Sequence, residues 1–552
     1  MRTIIAAALA ALALAPGAVT AQAASPAVAA SPAGEAALRA LFAEWRAFLL
    51  PPPGDYRSDY GPAAIAARTA TLARFRARLA AIDPSGWPLA SRHDWHLVEA
   101  EMNGLDFELR VLRPWARDPS FHANVFADRS DVPRHEGPSA HPNLDLYDFA
   151  WPLRPADQRR LTAALTAVPG NLAAARVTLT DSTAHDLWAY GSAAFREQSA
   201  TLAALAENRL VMVTLDGRKR ADMKGASSAL LAAIAKARAA TEDFAAWVAA
   251  EAPKRTGPSG VGIAEYDWYA KNVARSPYDW AAQRVLLQRE LDRSLAALRL
   301  EEVRNRALPP LPDLDAQAFA AAVTAKKARF TRFMADAGLI PDAPWAHAAV
   351  AAQAIDHVAA PDRNFFAHVN AGDPLPLLSH FTHWIDLERY RSAPHPDPIR
   401  ATPPPFNSFA DRSEGFATAF EEMALHAGLY DDIPHGRELV WIMLANRAAR
   451  GLASLDVQAN RMDLAAAGKF HAGWTPRGWS DAASPLVGFE QLLYLRQPGY
   501  GASYINGKLM LDHLIAAASH AEGARFDVRA LMARVGDAGI VPPAMVEAEV
   551  VR

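Results

Sequence analysis

The sequence predicts an all-α protein: mainly helical, two-lobed, with a central cleft and little β structure. Three observations predict it. Ala-, Leu- and Arg-rich segments carry apolar residues at helical spacing, as in "AALRALFAEWRAFLL", "WHLVEAEMNGLDFELRVL" and "SSALLAAIAKARAATEDFAAWVAAEA". Stretches that alternate apolar and polar residues, as a half-buried strand would, are scarce. Pro- and Gly-rich pieces such as "LPPPGDY", "DVPRHEGPSAHPN" and "LPPLPDL" punctuate the helical segments. With 51% hydrophobic and 21% charged residues, the 552-residue chain has the make-up of a globular protein.

Taken in order, residues 1–23 read as a secretory signal peptide. Arg2 supplies the positive start, Ile4 to Ala15 an apolar run too short to span a bilayer, and Ala18 to Ala24 small residues. Cleavage is expected near Ala21 or Ala23, and a periplasmic or secreted location follows. The chain has no cysteine, so a cysteine-linked lipid anchor is not expected. Residues 24–552 read as a single helical domain whose soft lobe boundary falls near 251–262, at "EAPKRTGPSGVG". A cleft between lobes is the default binding site. No fixed-period repeat points to a solenoid, and no glycine-rich phosphate loop follows a strand. No later stretch has the length of a membrane span. Net charge is −3 without a basic stripe, so nucleic acid is not an expected partner.

Zero cysteines leave any metal to His, Asp or Glu, and the 17 histidines are where to search. In "PLLSHFTHWIDLERYR", His380 and His383 stand three apart in a predicted helix. They share one face with Trp384 and Leu387. The helix motif of zinc hydrolases places a glutamate directly after its first histidine, and here that position is Phe381. The alternative is two semi-buried histidines bonded to backbone or carboxylate. In "DRSEGFATAFEEMALHAGLYDD", Ser413 is placed to cap a helix and Gly428 to end it. Glu414 and Glu421, two turns apart, share a side, and Glu422 and His426 make a second pair. Glu414 is a candidate third ligand, or else an acid that merely favours a helix start. In "LRQPGYGASYINGKLMLDHL", a loop with three glycines brings Tyr500 and Tyr504 to an apolar helix. A tyrosine hydroxyl there suits an oxyanion, and the alternative is core packing.

At these three pieces the chain resembles the domain-of-unknown-function 885 family, helical proteins related in fold to the zinc-dependent gluzincin peptidases. "SEGFATAFEE" matches the family's E-G-W-A-L-Y-x-E stretch and aligns Glu414 and Glu421 with its two glutamates. "QPGYGASYINGK" matches its P-G-Q-A-x-S-Y-x-x-G segment at Pro498, Gly499, Ser503, Tyr504 and Gly507. The family's H-E-x-x-P-G-H-H stretch aligns its first histidine with His380, its glutamate with Phe381 and a later histidine with Asp386. The resemblance implies one divalent ion, zinc, on His380 and Glu414, with Tyr504 polarising a peptide or small-molecule substrate; His383 falls on a variable family position and joins the ligands through its three-residue spacing from His380. It also implies a lost base, because phenylalanine cannot accept the proton that the family's glutamate takes. Glu421, Asp386 or Glu388 could replace it, or His383 could serve as base instead of ligand.

Three functions are therefore open: a metal-dependent hydrolase acting on peptides, a catalytically silent relative that binds a peptide or cell-wall ligand, and a helical scaffold. Other histidines read as bland. His135 and His141 fall in a Pro-rich loop and suit the surface. His395 sits on the connection Pro394–Pro405, whose six prolines suit a lid or rim.

Overall fold

Local signals set the helix boundaries. In a computed structural model, which describes residues 32–52, 54, 56–129, 139–406 and 409–551, the helices open on the residues that favour such starts. Ser227, Asp279, Asp315, Asn364, Asp463 and Ser484 each accept a hydrogen bond from a backbone N–H of the first turn. Proline occupies the first turn of the helices at Pro62–Ala80, Pro155–Thr178 and Pro434–Gln458. Helix makes up 69% of the structure and strand 3%, so the all-α reading holds. Among the described residues, strand is confined to the parallel pair Val125–Phe126 with Leu144–Asp145 and the hairpin Val211–Thr214 with Gly217–Arg220. The signal-peptide segment and His135 lie outside the described residues. Among the described residues no helix is long and apolar enough to cross a membrane.

Apolar burial organises these helices around two main clusters. The smaller runs from Ala123 to Val248 and is built on the helices Pro155–Thr178, Ser192–Ala206 and Ser228–Glu251. The larger joins the first three helices, through Leu38, Trp45 and Leu105, to the chain from Tyr266 to Val550. Residues from both ends of the sequence thus share one core, with the smaller cluster between them in sequence.

Four segments frame the centre of the larger cluster. The His helix, Thr382–Ser392, follows the tight turn Ser379–Phe381. The Glu helix is Ala410–His426, the Arg helix Pro434–Gln458 and the Tyr helix Tyr500–Glu522. Every residue of the Arg helix from Glu438 to Gln458 is buried, which only a helix surrounded on all sides can be. Glycine lets the backbones close in. A Cβ on Gly415 of the Glu helix would lie 2.3 Å from Gly507 Cα of the Tyr helix. One on Gly451 of the Arg helix would lie 2.8 Å from the Gly501 carbonyl oxygen. Two sequence expectations shift here. The Glu helix begins at Ala410, so Ser413 lies inside it, its amide bonded to the Phe409 carbonyl. Of the three glycines, only Gly499, at φ 85°, stands outside the Tyr helix, while Gly501 and Gly507 serve its packing.

The proline-rich connection is tied down. Arg400, 2% exposed at its side chain, bonds Asp94, Glu549 and the carbonyls of Ala90 and Ala538. Arg39 holds Asp397 at 2.8 Å. His141 is not a surface residue: it bridges Tyr60 at 3.0 Å and Glu108 at 2.9 Å.

Candidate metal centre

The His, Glu and Tyr segments meet at His380, His383 and Glu414. All three are buried, and one donor atom from each lies within 4.8 Å of the others. The tight turn and the first turn of the His helix set the two imidazoles side by side, with ring centroids 5.0 Å apart. Glu414, in the second turn of the Glu helix, places Oε2 3.2 Å from His380 Nε2. Two ligands about 2 Å from a zinc at the tetrahedral angle lie about 3.3 Å apart, so this spacing suits a shared ion. Glu414 Oε2 has no hydrogen-bond partner, while Oε1 accepts from the Tyr500 hydroxyl.

Around these three stands a second layer of charge. His380 Nδ1 lies 3.1 Å from Glu421 Oε1. Glu421 is fully buried and held on both oxygens by Arg447, at 2.8 and 2.6 Å. The imidazole is therefore flanked by two carboxylates, the arrangement that fixes ring orientation for a metal ligand. Burial, with Arg447 nearby, pushes the His380 imidazole down to about 3 despite Glu421. It is neutral at ordinary pH, the form that ligates metals. The Tyr504 ring stacks on His380, centroids 5.9 Å apart and planes 18° apart, and the Arg450 guanidinium lies 4.3 Å from the centre of the same ring. Arg450 is paired in turn with Glu490. Three buried glutamates, Glu414, Glu421 and Glu490, thus surround two buried arginines. Of these three glutamates, Glu414 is the one that no arginine or lysine bonds. Arg447 and Arg450 act on Glu414 only through space, and a buried carboxylate without a bonded cation is costly, so a cation there would lower that cost. The donor set, nitrogen and oxygen without sulfur, fits zinc.

The other carboxylates considered from the sequence are engaged elsewhere. Asp386 pairs with Arg412 at 2.7 Å, Glu388 with Arg391 at 2.7 Å, and Glu422 with Arg293 and Lys508. Phe381 is half-buried and packs on the apolar core.

No family model matches the chain, and no curated protein matches it. Solved structures do. A "putative lipoprotein of unknown function" from Shewanella oneidensis superposes with a TM-score of 0.67 at 12% identity, over 94% of this chain and 99% of its own. A "putative lipoprotein" from Colwellia psychrerythraea gives 0.62 at 12% identity, over 94% and 98%. At such identity the fold is what is shared.

Several residues of the centre escaped the sequence reading. Arg447, Arg450 and Glu490 carry its electrostatics, and the Tyr500 hydroxyl donates to Glu414. A signal did exist in "ANRAARGLASLD", which sets two arginines among residues otherwise suited to burial. Asp411, one turn before Glu414, is a further case. Burial alone pushes its carboxyl up to about 7.

Proposed function

We propose that the protein binds one divalent ion, zinc, on His380, His383 and Glu414, and is a periplasmic or secreted hydrolase acting on peptides. The observation that carries the reading is the convergence of those three donors in a buried, negatively biased centre. The motif resemblance to gluzincin-like proteins at Glu414 and Tyr504 supports it. The envelope location rests on the N-terminal segment and on a fold shared with proteins described as lipoproteins. A zinc ion supplies Lewis acidity toward a carbonyl oxygen. The chain supplies the rest. Glu421, clamped by Arg447, orients His380. Tyr504, whose ring contacts His380 and Arg450, would donate its hydroxyl to a developing oxyanion in this reading. Phe381 cannot accept a proton and Glu421 is committed to Arg447, so turnover requires His383 to leave the ligand set and act as base, with the ion kept on His380 and Glu414.

Elemental analysis of purified protein tests the ion: one zinc per chain is expected, lost in His380→Ala and Glu414→Ala. Unchanged metal content in His380→Ala would mean that the site is misassigned. The hydrolase half is tested on a peptide library, where cleavage abolished by a chelator is expected. A second reading, a silent relative that binds a peptide or cell-wall ligand, draws on Phe381 and on the Glu421–Arg447 clamp. It predicts ligand binding without turnover, and chelator-sensitive cleavage would exclude it.

A further inference from the structure

The His and Glu helices have outer faces as well as inner ones. Inward they carry His383, Glu414 and Glu421. Outward, with the helix Val528–Asp537 and the turn at Gly338–Asp342, they enclose a half-open cavity of about 390 Å³. That volume lies within the range of about 300–1,000 Å³ found for small-molecule sites. Much of the wall is apolar, with Leu339, Ile385, Phe416, Phe420 and Met532 contributing.

Arg389 is the polar feature that this wall leaves unused. Its Nε is buried without a hydrogen-bond partner, and its guanidinium stands over the Trp345 ring at 5.5 Å. The other lining arginines are engaged at their terminal nitrogens: Arg412, whose Nε is also without a partner, holds Asp386 at 2.7 Å, and Arg529 donates to the Asp336 carbonyl. A guanidinium is a planar fork of donors matched to a carboxylate, and stacking on an aromatic face holds its plane. Two further carboxylates, Asp342 and Asp537, are solvent-exposed lining residues. Their charge disfavours a dianion such as a phosphate monoester and tolerates a monoanion.

We propose that this cavity is a binding site for a small amphipathic carboxylate, its charged end on Arg389 and its apolar body against Phe420, Leu339 and Met532. The site is separate from the metal centre and does not depend on it. A fatty acid and the free C-terminus of an apolar peptide present the same chemistry.

Isothermal titration calorimetry with full-length protein tests the proposal. The probes are decanoate, decan-1-ol, N-acetyl-Leu-Phe with a free carboxylate, and its amide. Each carboxylate is expected to bind once per chain, and at least about tenfold more tightly than its uncharged counterpart, as a charge-assisted pair implies. The tighter carboxylate identifies the source. Arg389→Gln should remove the difference between charged and uncharged probes. Ala533→Trp, at an exposed lining position, should weaken both carboxylates without changing the melting temperature. The proposal is overturned if decan-1-ol binds as tightly as decanoate, if Arg389→Gln binds decanoate unchanged, or if no probe binds at millimolar concentration.

Discussion

Asp411 and Glu421 show how single carboxylates in this core carry different energies. Asp411 is 8% exposed, and its carboxyl is pushed from 3.8 up to about 7 by burial alone. The sign follows from proton counting. Between about pH 4 and 7 the folded state binds the proton more tightly than the unfolded state, so stability falls as pH rises through that window. Above it the full cost of ionising Asp411 is felt. Asp411→Asn is therefore expected to be more stable than wild type at pH 8, on the order of 2–4 kcal/mol, with the gap closing by pH 4. Urea unfolding of both proteins at the two pH values measures it, and a pH-independent gap would show that desolvation of the charge is not the cause. Glu421 sits the other way, its charge compensated by Arg447. Glu421→Gln should lower zinc affinity about tenfold to hundredfold, because the ring of His380 loses its orienting carboxylate. It should also destabilise the fold on the order of 2–4 kcal/mol, because Arg447 is left buried without its counter-charge. Chelator competition reads the first effect and urea unfolding the second. Equal zinc affinity in the two proteins would remove Glu421 from the centre.

At the scale of elements, the candidate metal centre depends on how closely the Glu and Tyr helices approach. A Cβ on Gly507 would sit 1.7 Å from the Asp411 carbonyl oxygen, a backbone atom that cannot swing aside. Alanine is the better helix former by about 1 kcal/mol, but here the clash dominates. Gly507→Ala should cost about 3 kcal/mol or more and loosen the packing that sets Tyr500 against Glu414. Gly170, in Pro155–Thr178, is the control: a Cβ there meets nothing within 4 Å. Gly170→Ala should instead stabilise by about 0.5–1 kcal/mol. If both substitutions shift the melting temperature alike, close approach is not what Gly507 provides. The same contrast shows what the sequence makes legible. The helix at Gly170 opens on a proline, a local signal. Gly507 reads as a loop residue, because its purpose lies in a partner helix more than ninety residues away.

Across the whole molecule, legibility follows the same division. The all-α class was readable because helical period and Pro/Gly punctuation are local properties. His380, Glu414 and Tyr504 were readable because each lies in a short motif. The Arg450–Glu490 pair, the Arg447 clamp and the anchoring of Arg400 were not, because burial selects those partners only after distant segments pack. The net charge of −3 likewise conceals where charge is uncompensated. That local excess, one buried glutamate more than the two arginines beside it, leads to a global prediction. An ion that binds the folded chain and not the unfolded one stabilises it by about 2.7 kcal/mol at a hundred times its Kd. For a chain of this length the melting temperature should rise by about 2–3 °C, scaling residue-average unfolding entropies. Glu414→Gln should abolish the zinc-dependent rise. Without metal it should melt above metal-free wild type, because it removes the carboxylate left without a cationic partner. The two shifts have opposite signs and one cause. A zinc-dependent rise that survives Glu414→Gln would place the ion elsewhere in the molecule. A metal-free variant that melts below wild type would mean that the Glu414 carboxylate is compensated by the protein alone.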